Sequence, residues 1–106
     1  MAEVAESLYV IIDAGTFSMG VINTSNIMNY MENAIIIGEP SGQTDNFFGS
    51  DGGTLPNSRM RYNISHRMWV GSSSEDTAIR PDIFVPLTIS DIINNIDPVI
   101  EAIKTQ

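Results

Sequence analysis

The sequence predicts an α/β fold in which a short parallel sheet is combined with helices and a β-hairpin. Two apolar runs, 8–12 and 34–37, have the length and β-branched character of buried strands. Residues of helical spacing, from Ser18 to about Glu32, separate the two runs. A strand–helix–strand unit of this kind is usually parallel, so a βαβ unit is expected near the N-terminus.

The elements of this unit are predicted in order along the first half of the chain. The continuous apolar run 8–12 predicts a strand that is buried on both faces. A turn over 13–17 precedes the helix, which Asn33 would end. The second strand is closed by the turn 38–42, and the polar, glycine-rich segment 43–53 predicts a surface loop.

A hairpin turn is predicted over 54–58, followed by a half-buried antiparallel strand. The prediction rests on the period of two in the following residues, whose apolar members are Met60, Tyr62 and Ile64. Two more short strands are expected over 68–70 and 83–85, with a serine-rich acidic loop over 71–77 between them.

Two helices are predicted at the C-terminal end. Thr88 and Asp91 have the spacing of a capping box. Asp97 as the cap and Pro98 at the first helical position mark a second start. The first of these helices has one isoleucine stripe, which we expect to pack in the core: Ile89, Ile92, Ile93 and Ile96.

Composition restricts the class of protein. The 106 residues are enough for one domain, and the net charge of -8 disfavours nucleic acid and anionic membranes as partners. The absence of cysteine excludes disulfides and thiolate chemistry. No run is long enough for membrane insertion, and the first residues lack the features of a signal peptide. No spacing of ligands predicts a metal site, and no glycine motif predicts a bound cofactor.

Ser18 has two interpretations on local pattern alone. Its hydroxyl could cap the free N–H groups of the helix that follows. The same position, on a turn from strand to helix, also suits a nucleophile whose oxyanion the helix N-terminus would stabilise. The surrounding residues 15–20 match only half of the Gly-x-Ser-x-Gly elbow. His66, the single histidine, is interpreted as a side chain at the end of a strand.

Several segments, taken in order, resemble a known family. They are "LYVIIDAGTFSMGVIN", "NAIIIGEPSGQTDN", "GGTLPNSRMRYNIS" and "EDTAIRPDIFVPLTISDIINNIDPVIEAI". They resemble the C-terminal half of the serine peptidase catalytic domain shared by C-terminal processing (tail-specific) peptidases, the tricorn core protease and interphotoreceptor retinoid-binding protein. The resemblance implies a partial crotonase/Clp-protease-like sheet. It also implies that Ser18 is the nucleophile and that the backbone N–H of Met19 is one oxyanion donor.

The sequence departs from the family at several catalytic positions. Peptidases of the Ser–Lys type have a lysine in the loop after the "GE" turn, whereas this chain has Gln43 and Thr44 there and its one lysine is Lys104. It therefore looks like the tricorn-like branch, which uses a Ser/His/Ser/Glu arrangement. The resemblance assigns the acidic member to Asp76 or Glu75. No histidine precedes Ser18, and the family's Asn-x-Gly-Gly segment is absent.

These observations lead to one expectation for residues 1–106 as a whole. The chain is expected to be a single fragment, the C-terminal part of a serine endopeptidase domain that hydrolyses polypeptides by acyl transfer, and to be inactive in isolation. The alternative is a non-catalytic module that binds a ligand or a protein on the same scaffold. Half a sheet would leave apolar surface and a strand edge exposed, so a homo-oligomer is expected. Relatives are often periplasmic or extracytoplasmic, but this sequence does not indicate a compartment.

Overall fold

The structure, a computed structural model, describes residues 7–44, 46–68 and 78–106. The described residues form five strands and three helices, and the predicted α/β class is confirmed. In chain order the elements are β1 (Leu8–Ile12), α1 (Met19–Tyr30), β2 (Ala34–Gly38), β3 (Phe47–Thr54), β4 (Arg61–Met68), β5 (Ile83–Phe84), α2 (Ile89–Ile93) and α3 (Pro98–Lys104).

A parallel sheet in the order β1-β2-β5 forms the centre of the fold. β1 and β2 pair in register from Leu8 opposite Ala34 to Ile12 opposite Gly38. β5 extends the sheet on the other side of β2, where Phe84 lies opposite Gly38. The predicted strand–helix–strand unit is therefore present, and its strands are parallel.

The core is small and lies between the sheet and α1. The buried apolar side chains of the described residues are Ile12, Ile36 and Ile37 from the strands and Val21 from the helix. Burial of each such side chain stabilises the fold by about 1.5–3 kcal/mol. The expectation that both faces of β1 are buried is wrong, because the Ile11 side chain is 49% exposed.

Gly38 brings β2 and β1 into close contact at the carboxyl end of the sheet. Its φ of 125° lies in a region that L side chains rarely adopt, and a Cβ there would overlap the carbonyl oxygen of Ile12. The same oxygen accepts a hydrogen bond of 2.9 Å from the N–H of Glu39. Only glycine therefore permits the chain to turn across the end of β1 at this point.

β3 and β4 form an antiparallel hairpin, and two predictions about this segment are wrong. The segment expected to be a surface loop is largely β3, which pairs with β4 from Phe47 opposite Met68 to Thr54 opposite Arg61. The strand expected to be half-buried, β4, is exposed at every position. The reason is that no extensive contact joins the hairpin to another described element.

A glycine opposite an aromatic residue explains how β3 forms despite its poor strand composition. Gly53 pairs with Tyr62, and the phenol ring of Tyr62 occupies the space that a side chain at Gly53 would fill. An aromatic side chain that covers a glycine in this way supports pairing where the glycine itself packs nothing. The predicted hairpin turn is present and is closed by the bond from Leu55 N–H to the Met60 carbonyl (2.9 Å).

Both C-terminal helix starts are as predicted. The N–H of Asp91 donates to Thr88 Oγ1 (3.2 Å), and the N–H of Thr88 donates to Asp91 Oδ2 (2.9 Å), which completes the capping box of α2. Asp97 Oδ1 accepts from the N–H groups of Val99 and Ile100, with Pro98 in the first turn of α3.

The isoleucine stripe of α2 does not pack in the core, contrary to expectation. Ile89 and Ile93 are 76% and 77% exposed. α2 ends where Asn95 adopts a φ of 54°, and no other described element packs extensively against α2. Helical periodicity therefore identified the apolar face correctly but not what covers it.

We predict that Gly38→Ala lowers the free energy of unfolding by about 3 kcal/mol, because the new methyl group meets a carbonyl oxygen and φ is unfavourable. Gly20→Ala is the matched control, since a Cβ there lies at an ordinary 3.6 Å from Thr16. That control should stabilise the chain by about 0.5–1 kcal/mol. Chemical denaturation at one protein concentration measures both, and equal effects of the two variants would contradict the account.

We also predict that acid weakens the start of α2. The hydrogen bond from the Thr88 side chain, followed by the one from its backbone N–H, lowers the pKa of Asp91 below its ordinary value of 3.8. Because the folded-state pKa is lowered, the stabilisation is fully present above the ordinary pKa of 3.8 and is lost as pH falls through the lowered pKa. An NMR titration should show the Thr88 amide resonance moving in that acidic window. Persistence of the movement in Asp91→Asn would contradict this assignment.

Candidate active site

The turn that leaves β1 is closed by its own hydrogen bonds. The N–H of Thr16 donates to the Asp13 carbonyl (2.9 Å), and the N–H of Asp13 donates to Thr16 Oγ1 (3.0 Å). The N–H of Gly15 donates to Asp13 Oδ1 (2.7 Å). Asp13 and Thr16 therefore fix the direction in which the chain leaves the sheet.

The loop after β2 lies against this turn. The N–H of Gly42 donates to the Thr16 carbonyl (3.0 Å), and a Cβ on Gly42 would overlap the carbonyl oxygen of Ala14. Ser41 is buried, and its hydroxyl accepts from the N–H of Ile79 (2.8 Å). Three separate segments are thus joined at the carboxyl end of the parallel sheet, which is where open α/β sheets bind their ligands.

Ser18 follows this fixed turn in an uncommon backbone conformation. Its φ is 54° and its ψ is -118°, and the side chain is exposed. A non-glycine residue in such a region is strained by about 1–3 kcal/mol. The hydroxyl does not accept a hydrogen bond from the helix N–H groups. The N–H groups that a capping side chain would bind, those of Gly20 and Val21, donate instead to the carbonyls of Phe17 and Ser18. The structure therefore does not support the interpretation of Ser18 as a helix cap.

The backbone next to Ser18 offers a free donor. The N–H of Met19 has no hydrogen-bond partner within the described residues, whereas the next N–H, of Gly20, is bound to the Phe17 carbonyl (3.0 Å). Met19 is the first residue of α1, so the positive end of the helix dipole lies there. An exposed hydroxyl beside a free N–H and a helix N-terminus is an arrangement that can stabilise a developing negative charge.

His66 lies in the interior of β4 and is paired with an acidic side chain. Its Nδ1 is 3.5 Å from Asp51 Oδ2 on the neighbouring strand, and both side chains are well exposed. The sequence does not predict this pair, because the polar, glycine-rich segment that contains Asp51 is typical of a loop. The hairpin register would have indicated the pair, since Asp51 lies opposite Ile64, two positions before His66. No hydrogen bond in the described part of the chain joins His66 to Ser18.

Two site residues named from the resemblance, Glu75 and Asp76, lie outside the described residues. Within the described ranges, no group of three His, Cys, Asp or Glu side chains is placed to hold a metal ion. None of the helices found there has the length and apolar character needed to cross a membrane. Of the predicted site groups, the described residues therefore include Ser18 and the Met19 N–H.

Comparison with known proteins identifies structures of similar fold but does not identify a family. No family model matches the sequence, and no curated protein matches it. A solved structure of a putative peptidase from Parabacteroides merdae matches 93% of this chain at 21% identity and a TM-score of 0.60. A solved structure of a serine-to-alanine mutant of CPAF matches 81% of the chain at 18% identity and a TM-score of 0.52.

These matches cover 31% of the P. merdae chain and 16% of the CPAF chain. At such identities the likeness is one of fold. The described residues therefore form part of a peptidase-like scaffold.

We predict that the stability effects of Ser18 substitutions distinguish a strained turn from a cap. Ser18→Ala should change the free energy of unfolding by less than about 0.5 kcal/mol, since the hydroxyl makes no hydrogen bond within residues 7–44, 46–68 and 78–106. Loss of a capping serine, by contrast, costs about 1 kcal/mol. Ser18→Gly should stabilise the chain by about 1 kcal/mol, because glycine relieves the backbone strain. Denaturant titration of both variants measures this, and destabilisation by both would restore the capping interpretation.

Proposed function

We propose that this chain is the nucleophile-bearing part of a serine endopeptidase of the tricorn-like or C-terminal-processing type. The observation that carries the proposal is Ser18, exposed and strained at the start of a helix, whose hydroxyl and the neighbouring Met19 N–H have no hydrogen-bond partner among the described residues. The peptidase-like scaffold supports it, as do the ordered motifs of the sequence.

The chemistry proposed for the site is acyl transfer to a serine. Ser18 Oγ attacks the scissile carbonyl carbon, and its proton passes to a general base. The Met19 N–H then donates to the carbonyl oxygen as it becomes an oxyanion. The leaving amine takes a proton, and water hydrolyses the acyl-serine. One missing oxyanion donor reduces transition-state stabilisation by about 3 kcal/mol, so a second donor is required for full activity.

The base and the second donor would come from outside the described residues. In the tricorn-like arrangement, Asp76 or Glu75 supplies the acidic member and a histidine upstream of the serine supplies the base. The small share of each neighbour that this chain covers supports its being one part of a larger catalytic unit. We therefore expect negligible peptidase activity from the 106 residues alone.

A polypeptide is the proposed substrate. Phe17 and Met19, which flank the serine, are 62% and 60% exposed. These side chains offer apolar contact on both sides of Ser18, which suits a chain with hydrophobic residues near the scissile bond. The same feature favours the second candidate, a non-catalytic module that holds an apolar ligand or a protein segment, if no base is supplied.

The first test is covalent labelling of the complete polypeptide by a fluorophosphonate probe. Labelling should depend on Ser18 and be lost in Ser18→Ala. It should persist in Ser65→Ala, which removes an exposed hydroxyl from β4. Equal labelling of all three proteins would contradict the assignment of Ser18, and absence of labelling in all of them would favour the binding module.

The second arm of the test needs no base. The chain has no cysteine, so Ser18→Cys introduces a single thiol beside the Met19 N–H. We expect the pKa of this thiol to be about one unit or more below the ordinary 8.5, as at other helix N-termini. The matched control is Ser65→Cys on the exposed strand. The pH dependence of alkylation gives both values, and the same pKa at the two sites would show that the turn does not stabilise an anion.

A further inference from the structure

Ser41, in the loop after β2, carries a buried hydroxyl that the proposed acyl transfer does not use. The residue is 6% exposed, and its hydroxyl donates to the Gln43 carbonyl (2.6 Å) and accepts from the Ile79 N–H (2.8 Å). The N–H of Ser41 also donates to the Ile79 carbonyl (3.0 Å). One serine therefore binds both polar backbone groups of a residue that is distant in the sequence.

Ile79 is itself held close to the parallel sheet. The N–H of Asp82 donates to the Ile36 carbonyl, and Asp82 Oδ2 accepts from the Ile36 N–H, both at 2.8 Å. Ile36 belongs to the buried core of β2. Pro81 lies between these two anchors and restricts its own φ and the conformation of the residue before it. The Ile79 groups that Ser41 binds are thus fixed relative to the sheet.

The residue after Ser41 contacts the turn that leads to Ser18. The N–H of Gly42 donates to the Thr16 carbonyl (3.0 Å). A single planar peptide unit joins Ser41 to Gly42, so the direction of this N–H depends on how Ser41 is held. Thr16 also accepts from the Asp13 N–H and so fixes the turn after β1. A continuous path of hydrogen bonds and short backbone segments therefore runs from β2 to the strained torsion of Ser18.

Removal of the Ser41 hydroxyl would break this path at one point. Alanine offers no acceptor to the Ile79 N–H, which lies in a part-buried position, and a buried donor without a partner is unfavourable. For water to reach that donor, the two segments must separate. Such a separation withdraws Gly42 from the Thr16 carbonyl. The torsion of Ser18 persists only while the surrounding structure imposes it, so it would then relax toward the extended region.

We propose that Ser41 is a positioning residue for the Ser18 site. Its hydroxyl, acting through Gly42 and Thr16, holds the Ser18 torsion that presents the serine side chain beside the Met19 N–H. The role in catalysis rests on the proposed function, whereas the effect on the Ser18 backbone does not. Ser41 does not contact the reacting atoms, so its substitution changes the geometry of the site and leaves its chemical groups in place.

The first test compares the Ser18 backbone in two variants of the 106-residue chain, Ser41→Ala and Thr24→Val. Thr24 is the matched control, because it is comparably buried (4% exposed) but its hydroxyl donates within α1, to the Gly20 carbonyl (2.8 Å). Three-bond scalar couplings of the Ser18 amide should show a positive φ in the wild type and in Thr24→Val, and a negative, extended φ in Ser41→Ala. Ser41→Thr, which keeps the hydroxyl, should retain the positive φ.

Two results of this first test would overturn the proposal. One is a φ at Ser18 that is the same in Ser41→Ala as in the wild type. The other is an equal change of φ in Ser41→Ala and Thr24→Val, which would show that loss of any buried hydroxyl relaxes the turn.

The second test measures what the positioning does for an anion at the site. The thiol of Ser18→Cys should have a pKa about one unit or more below the ordinary 8.5, and adding Ser41→Ala should bring that pKa to within about half a unit of 8.5. Adding Thr24→Val should leave the thiol pKa unchanged. A lowered pKa that survives Ser41→Ala would overturn the positioning role. An ordinary pKa in Ser18→Cys alone would contradict the proposed function, and the φ of Ser18 then decides the role of Ser41.

A measurement on the unsubstituted chain replaces both tests if circular dichroism shows that Ser41→Ala does not fold. The amides of Ile79 and Gly42 should exchange with solvent with protection factors within about threefold of each other, because one local opening exposes both. Both should be less protected than the amides of β2. A larger difference between Ile79 and Gly42 would show that the two contacts open independently, and it would overturn the proposal.

Discussion

The close approach of two backbone segments at the carboxyl end of the sheet is the constraint on which the rest of the structure depends. Gly38 and Gly42 leave no room for a side chain against the carbonyl oxygens of Ile12 and Ala14. The hydrogen bonds from Glu39 and Gly42 hold the loop there. The turn after β1 cannot move without moving that loop, and the helix start that carries Ser18 is fixed between them. The close packing at this end of the sheet thus fixes the position of Ser18.

Strain and availability at Ser18 follow from that constraint. The backbone before Ser18 is held by Thr16, and the backbone after it is held by the first hydrogen bonds of α1, so the unfavourable torsion at Ser18 is imposed from both sides. The result is an exposed hydroxyl that is not used for capping, beside a donor that the helix does not use. Within the described residues neither group has a hydrogen-bond partner, which is why we propose a chemical role for both. A complete site of the proposed kind also needs a general base, so the proposed function depends on groups outside the described residues.

Local signals in the sequence predicted the elements well and their surroundings poorly. The apolar run of β1 and the capping residues Thr88 and Asp97 act within one or two turns, so the sequence alone revealed them. The sequence did not predict β3, because its glycines are typical of loops. The contact that compensates for a glycine in the strand comes from Tyr62 across the hairpin. The torsion of Ser18 depends on a bond between Thr16 and Gly42, far apart in sequence, which no local pattern carries. The isoleucine stripe was read correctly as an apolar face, but periodicity does not say what covers that face.

The measurement that tests the central claim most directly is the backbone φ angle of Ser18 in solution, from the three-bond scalar couplings of its amide in isotope-labelled protein. The account predicts a positive φ at Ser18. It also predicts that the Met19 amide exchanges with solvent faster than the amides of Val21 and Ile22, which are hydrogen-bonded to the Ser18 carbonyl. A negative, extended φ, the conformation of a helix-capping serine, together with a protected Met19 amide, would contradict it.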